Sequence, residues 1–319
     1  AQESEELRIL WQENLPTEFR RVGADLRLAV CRDFDDDGRD EILFTYRRGE
    51  KGEHGLVIVD PKGEPRLREL LLPAGRDSSG DGRWDGWYHV VGTVPGALPD
   101  GRPGLLLGCV VGYDRHERGL RLIDPVDGDE VWRFETGPNP TAGQCLIVDL
   151  DGDGDEEIVL AANSPHNLGG ERVNGSSDDQ AWIFVLEADG SLRWAKPQGI
   201  HFFSLELALG DLTGDDLPEL VSGSRHHSAG ASGDTLTVFD PRRGEILARA
   251  ASAAAYNGIA IGKARIRRRP EILCANTRGE FLAYELRNGR LERRLLARSS
   301  GPLRLLGRGK IIPGNSGPE

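Results

Sequence analysis

The fold is decided by residues 149–161, DLDGDGDEEIVLA. Acidic residues fill most of the first nine positions, and an apolar run follows at once. Carboxylates this dense repel one another, so they either stand in open solvent or surround a cation. Two further stretches share the layout: DFDDDGRDEILF at residues 33–44 and DLTGDDLPELVSG at residues 211–223. Recurrence at long spacing marks a repeat architecture. Aligned on these turns, the chain falls into units of four apolar segments. The first leads into the turn (LRLAVCRDF, QCLIVDLD, LELALGDLT) and the second leaves it (DEILFTYRR, EEIVLAANS, PELVSGSRH, with PGLLLGCVVGY and PEILCANTRG as looser copies). A third (GLVIVDPKGE, GLRLIDPVDGD, AWIFVLEADGS, TLTVFDPRRGE, FLAYELRNGR) turns tightly into a shorter fourth.

Each segment is rich in Val, Ile, Leu and aromatic residues and is bounded by Gly, Pro, Asp or Asn, which is a strand signal. Gly and Asn in the tight turns supply positive φ. No sustained 3.6-residue apolar period appears, so the sequence predicts almost no helix. Four antiparallel strands repeated every 45–65 residues or so is the sequence form of a β-propeller blade. The expected fold is therefore all-β: one propeller of six four-stranded blades, with seven as the alternative. The blades are expected near residues 22–77, 86–138, 142–198, 203–250 and 256–298, with a sixth shared between 301–319 and 1–16. N- and C-terminal strands then close the ring and remove its open edges.

Composition narrows the function. The 319 residues carry a formal charge of −12, which argues against a protein that tracks nucleic-acid phosphates. No apolar run approaches the ~18 residues needed to span a bilayer. Cys31, Cys109, Cys145 and Cys274 form no C-x-x-C pair and each lies in an apolar run, so they read as buried free thiols. The chain has no Met and opens AQESEE. That start fits either a boundary within a longer chain or a mature end after removal of an export signal, which points outside the cytoplasm.

The acidic turns have a ligand spacing. Calcium takes six to eight hard oxygens, and carboxylates at positions 1, 3 and 5, a carbonyl at 7 and an acid at 9 would surround one ion. These positions are Asp33, Asp35, Asp37, Arg39 and Glu41 in the first turn, with Gly38 at position 6. They are Asp149, Asp151, Asp153, Asp155 and Glu157 in the second, with Gly154 at 6. In the third they are Asp211, Thr213, Asp215, Leu217 and Glu219, with Asp216 at 6. The third departs at Thr213 and at Asp216, a residue type that tolerates left-handed backbone. An EF-hand is excluded because position 12 is Phe44, Leu160 or Ser222 rather than Glu, and strand-like runs follow. A fourth match, DSSGDGRWD (Asp77, Ser79, Asp81, Gly82, Asp85), falls between blades and reads as a polar connection or a further ion site.

With these turns in view, the chain resembles the FG-GAP/VCBS-type repeat propellers, the integrin α-subunit-like family, on its VCBS-like side. The Phe-Gly…Gly-Ala-Pro signature is not clearly present. The resemblance implies two or three structural calcium ions, each in the hairpin between a blade's first and second strands. Bound calcium would offset the carboxylate repulsion and add its binding energy to the fold.

The metal hairpins are expected at one face, leaving the long second-to-third and blade-to-blade connections at the other. Those connections hold TYRRGEKGEHG, GYDRHERG, NSPHNLGGERVNGSSDDQ and SRHHSAGASGD, and every histidine except His89 falls in or beside such a segment. Long loops on a rigid scaffold commonly carry binding residues. The candidate binding face is Trp84, Trp87, Tyr88, Tyr113, His166, His201, Phe202, His226, His227 and Tyr256, aromatics with polar groups between them. The bland alternative has the aromatics packed between blades and the histidines idle on loops. No G-x-S-x-G, phosphate loop or H-E-x-x-H occurs. The expected function is a calcium-stabilised, non-enzymatic, extracytoplasmic binding module for a protein, carbohydrate or small molecule. The alternatives are a carbohydrate lyase or hydrolase on the same scaffold and a structural spacer.

Overall fold

A computed structural model describes residues 30–33, 38–48, 53–60, 66–72, 80, 86–111, 117–199, 203–226, 235–252, 254–262, 269–303 and 305. Among the described residues every regular element is a strand, and no helix is long and apolar enough to cross a membrane. One sheet holds β1 (Val30–Arg32), β2 (Glu41–Arg48), β3 (Glu53–Asp60) and β4 (Arg66–Leu72) in chain order. The next holds β5 (Trp87–Val94), β6 (Gly104–Val110), β7 (Gly119–Ile123) and β8 (Glu130–Glu135). The third has β9 (Asn139–Val148), β10 (Glu157–Asn163), β13 (Ala181–Leu186) and β14 (Leu192–Gln198), and a separate two-stranded hairpin of β11 (Arg172–Val173) and β12 (Ser176–Ser177) lies in the connection between β10 and β13. The fourth is β15 (Phe203–Gly210), β16 (Glu219–His226), β17 (Thr235–Asp240) and β18 (Glu245–Ala251). The fifth is β19 (Tyr256–Gly262), β20 (Glu271–Asn276), β21 (Glu280–Arg287) and β22 (Arg290–Arg298).

The residue pattern explains the layering. β6 (GLLLGCV) is buried at every position, and β10 (EIVLAAN) at all but its last. Such continuous apolar runs suit strands covered on both faces. Of the fourth strands with described side chains, β8 and β18 are mostly exposed and β22 (RLERRLLAR) is exposed and charged along its length, which protects a sheet edge from pairing with another chain.

The chain divides into two compact units, Ala1–Arg133 and Phe134–Glu319. In the first, Leu43, Leu56 and Ile58 of one sheet pack on Tyr88, Leu105 and Leu107 of the next. In the second, Val159, Ile183 and Val185 of the third sheet meet Leu205, Leu220 and Phe239 of the fourth. The fourth in turn packs Val221, Leu236 and Val238 on Ile259, Ile272 and Leu282 of the fifth. Each fully buried aliphatic side chain contributes about 1.5–3 kcal/mol. Trp194 of β14 joins neighbouring sheets: its Nε1 donates to the Pro241 carbonyl at 2.6 Å, and its ring stacks on Phe239 at 6.1 Å.

One expectation changes. Cys109 and Cys274 are buried free thiols, but Cys145 is only half-buried and Cys31 is exposed. The sixth blade falls almost wholly outside the described residues. Its described part consists of 301–303 and 305, where the amides of Leu303 and Leu305 donate to the carbonyls of Asn276 and Asn257 at 3.1 and 2.9 Å.

Candidate metal centre and binding end

The three acidic turns share one backbone design. The position-6 residue is left-handed in each, with φ of 85° at Gly38, 95° at Gly154 and 67° at Asp216. Its amide donates to the position-1 carboxylate: Gly38 to Asp33 Oδ2 at 2.7 Å, Gly154 to Asp149 Oδ2 at 3.1 Å, Asp216 to Asp211 Oδ2 at 3.2 Å. Asp35 and Asp37 lie outside the described residues, as does the Asp77–Asp85 stretch apart from Gly80.

In the second turn, carboxylate oxygens of Asp149, Asp151 and Asp153 lie within 4.8 Å of one another. Among the described residues this is the group of three acids that converges so closely. Amides of Gly152, Gly154 and Asp151 hold Asp149, the Gly152 bond most strongly, and keep its carboxyl below the usual range. At 4.8 Å, each pair of charges repels by roughly 1–3.5 kcal/mol for effective dielectrics of 80 down to 20. Asp151 Oδ1 is buried and has no hydrogen-bond partner. All these donors are hard oxygens, and one is left bare, so the set fits calcium.

The position-9 glutamates do a different job. Glu157, 1% exposed, accepts from the Leu150 amide at 2.7 Å through Oε2 and from Arg193 Nη2 at 3.0 Å through Oε1. Burial pushes its carboxyl up, and the Leu150 amide and Arg193 pull it back. Arg193 also donates through Nη1 to Asp151 Oδ2 at 2.9 Å and through Nε to Glu187 Oε1 at 2.6 Å. In the third turn Glu219 Oε2 accepts from the amides of Leu212 and Thr213 at 2.6 and 3.1 Å, and Oε1 from Thr213 Oγ1 at 3.1 Å. Both glutamates thus spend their oxygens closing the hairpin, whereas the sequence reading places them on the ion. In that turn Asp211 accepts from Gly214 at 2.5 Å and Asp215 from Leu217 at 3.2 Å.

At the other end of the third sheet lies its longest connection, between β10 and β13. Residues 164–180 are fastened down: buried Asp178 accepts from the amides of Asn167 and Leu168 at 2.6 and 3.0 Å, and Ser176 Oγ from the Gly137 amide at 3.1 Å. His166 stands exposed on this loop with Nδ1 2.8 Å from Asp179 Oδ1. Trp87 is exposed at the start of β5. Tyr88 and Tyr256, expected on the binding face, are core residues instead. Tyr88 meets the His54 ring edge-on at 5.7 Å with the Arg121 guanidinium 5.4 Å from its ring centre, and Tyr256 shares a 3.1 Å hydroxyl contact with Tyr284. His54, read as a loop residue, is buried within β3. Trp84, Tyr113, His201, Phe202 and His227 lie outside the described residues, and His226 ends β16.

Two features escape the sequence reading. His89 is buried on β5, and burial lowers its pKa to about 4. A recess of about 90 Å³ opens between the fourth and fifth sheets, lined by Ser252, Asn276, Arg278, Glu280, Tyr284 and Arg293 among others. Glu280 accepts there from Asn276, Arg293 and Arg298 at 2.9, 3.0 and 2.8 Å, which holds its carboxyl below the usual range. The only sequence signal was a Glu after a tight N-T-R-G turn.

No family model and no curated protein matches the chain. Among solved structures, the Dos1 propeller aligns over 88% of this chain and 69% of its own at 9% identity, with a TM-score of 0.50. BBS1N in complex with ARL6DN aligns over 88% and 83% at 12% identity, with a TM-score of 0.43. A europium-containing methanol dehydrogenase aligns over 89% and 57% at 8% identity, with a TM-score of 0.44. Five successive four-stranded sheets together with the Dos1 likeness make the chain a β-propeller.

Proposed function

We propose that this chain is a calcium-stiffened propeller of the FG-GAP/VCBS type. In this reading it binds a protein, carbohydrate or small-molecule partner outside the cytoplasm, without catalysis. The observations that carry the metal part are the convergence of Asp149, Asp151 and Asp153 and, beside it, a buried Asp151 oxygen without a hydrogen-bond partner. Calcium there would be held by these three side chains and would cancel their repulsion. A centre with few carboxylates, built on an exposed turn, belongs with modules of 10⁻⁴–10⁻³ M affinity or so, filled where calcium is abundant. That supports an extracytoplasmic setting.

The binding part rests on the recess around Glu280. With both carboxylate oxygens engaged by Asn276 and two arginines, Glu280 is suited to orient donors for a polar ligand rather than to move protons. Calcium titration with a metal count on the purified chain tests the first part, alongside melting in calcium and in chelator. Asp151→Ala is expected to remove one ion and the calcium-dependent rise in melting temperature. Equal melting of wild type with and without chelator sinks the calcium assignment. A thermal-shift screen with mono- and oligosaccharides, amino acids and acidic and basic peptides tests the second. A hit that Arg293→Ala abolishes supports the recess, and a hit that it leaves intact moves the binding site elsewhere.

A further inference from the structure

The second and third turns solve one electrostatic problem in two ways. In both, a buried glutamate at position 9 offers Oε2 to the amide of position 2, Leu150 or Leu212. Its Oε1 then needs a donor, because a buried carboxylate oxygen without one is costly. In the third turn Thr213 at position 3 supplies that donor through its own hydroxyl. In the second turn position 3 is Asp151, an acceptor of like charge, which cannot. The donor comes instead from Arg193, whose fork reaches both Glu157 Oε1 and Asp151 Oδ2.

Arg193 reaches them from a β-bulge. Val185 pairs with Trp194 and Leu186 with Leu192, leaving Arg193 as the extra residue. Bulges re-aim side chains in this way. The fourth sheet has the same bulge: Val238 pairs with Ala248 and Phe239 with Ile246, leaving Leu247. Leu247 packs against the core. The pairs are therefore Asp151 with Arg193 and Thr213 with Leu247. An acid at position 3 goes with the guanidinium, and a hydroxyl goes without it. The self-sufficient Thr closes the hairpin more simply, so closure alone gives no reason for the Asp–Arg pair. What the pair adds is the second Asp151 oxygen, Oδ1, buried and without a partner.

We propose that Arg193 is the positioning residue that makes the 149–157 turn a cation site, and that the 211–219 turn is a self-closed, metal-free copy of it. This rests on the calcium reading above. Arg193 steadies Asp151 through one oxygen and leaves the other for the ion, while keeping Glu157 neutralised at the hairpin base. Outer-shell partners of this kind typically contribute ten- to a hundredfold in metal affinity.

The test moves the site. Calcium titration and metal counting are run on the full chain as wild type, Thr213→Asp, Thr213→Asp/Leu247→Arg, Asp211→Ala, Arg193→Leu and Asp151→Thr/Arg193→Leu. The Thr213→Asp/Leu247→Arg chain is expected to hold one more ion than wild type, and Thr213→Asp alone to gain none and melt lower. Arg193→Leu is expected to weaken calcium at least tenfold, with the affinity read on the folded fraction. Asp151→Thr/Arg193→Leu is expected to lose one ion yet melt, in chelator, closer to wild type than Arg193→Leu does. The proposal is overturned if Thr213→Asp gains an ion unaided, if Asp211→Ala removes an ion from wild type, or if Arg193→Leu keeps wild-type affinity. A wild-type count of zero overturns the calcium reading and this assignment with it. The chelator melts still report separately whether Arg193 compensates Asp151.

Discussion

His89 sets a pH limit on this fold. The side chain is 2% exposed, its Nδ1 has no partner, and burial lowers its pKa from 6.5 to about 4. Because the folded value is the lower, the unfolded chain binds the extra proton between these limits, and stability rises with pH across that window. The contribution is complete above pH 6.5 and is lost as pH falls towards 4. Between pH 7.5 and pH 5 the linkage relation gives a loss of about 2 kcal/mol from this one residue. Buried carboxylates with lowered pKa values, such as Glu280, act mainly below that interval. Urea unfolding of wild type and His89→Gln at pH 7.5, 6 and 5 reads the effect directly. The variant, whose amide does not titrate, is expected to lose about 2 kcal/mol less than wild type on acidification. Equal losses would mean that His89 is solvated, or charged, in the folded chain, and the burial argument would be wrong.

Three further substitutions probe the packing. A methyl at Gly108 would stand 2.2 Å from His89 Cε1, so Gly108→Ala should destabilise by about 1–3 kcal/mol in urea; a change under half that lower bound would contradict the tight His89–Gly108 pairing. Trp194→Phe removes the bond to the Pro241 carbonyl and part of the stack on Phe239, for an expected loss of about 1–2 kcal/mol. Full stability in that variant would show that the two sheets do not depend on it. Asp216 sits at φ 67°, so Asp216→Gly in chelator should stabilise by up to about 1 kcal/mol by relieving left-handed strain. A loss instead would mean that its side chain supports the turn.

The strand repeat was readable because turn chemistry and apolar run length are local properties. β3, β7, β13, β17 and β21 each follow the expected third segment, and the turns after β7, β13, β17 and β21 are tight. The left-handed position 6 was readable too, since Gly38, Gly154 and Asp216 are residue types that accept it. What the sequence hid depends on a neighbouring sheet. Alternation tells which side of a strand a residue faces, but not whether that side is covered. His54, Tyr88 and Tyr256 look like polar and aromatic loop-end residues, yet packed sheets close over them. Arg193 was hidden for a related reason: its aim comes from a bulge, and a bulge leaves no mark in an apolar period.

The acids of the turn and the glutamate after it also prove to be separable. Glu41, Glu157, Glu219 and Glu271 each open a second strand, at matching register, and each is at most 3% exposed. Only the first three follow acidic turns; Glu271 follows the basic stretch KARIRRRP. There Arg294 of β22 grips it through both oxygens, at 2.7 and 2.9 Å. A buried carboxylate that persists where the turn has lost its acids does not depend on a turn-bound ion. Its common role is to pin the start of the second strand, with a donor drawn from the outer strand or from the turn itself. The acidic turn is then an addition to a latch that already works without it. On that basis Glu271→Gln should destabilise the fifth sheet to the same extent in calcium and in chelator, whereas the effect of Asp151→Ala should differ between the two. A calcium-dependent effect of Glu271→Gln would join the two functions again and refute the separation.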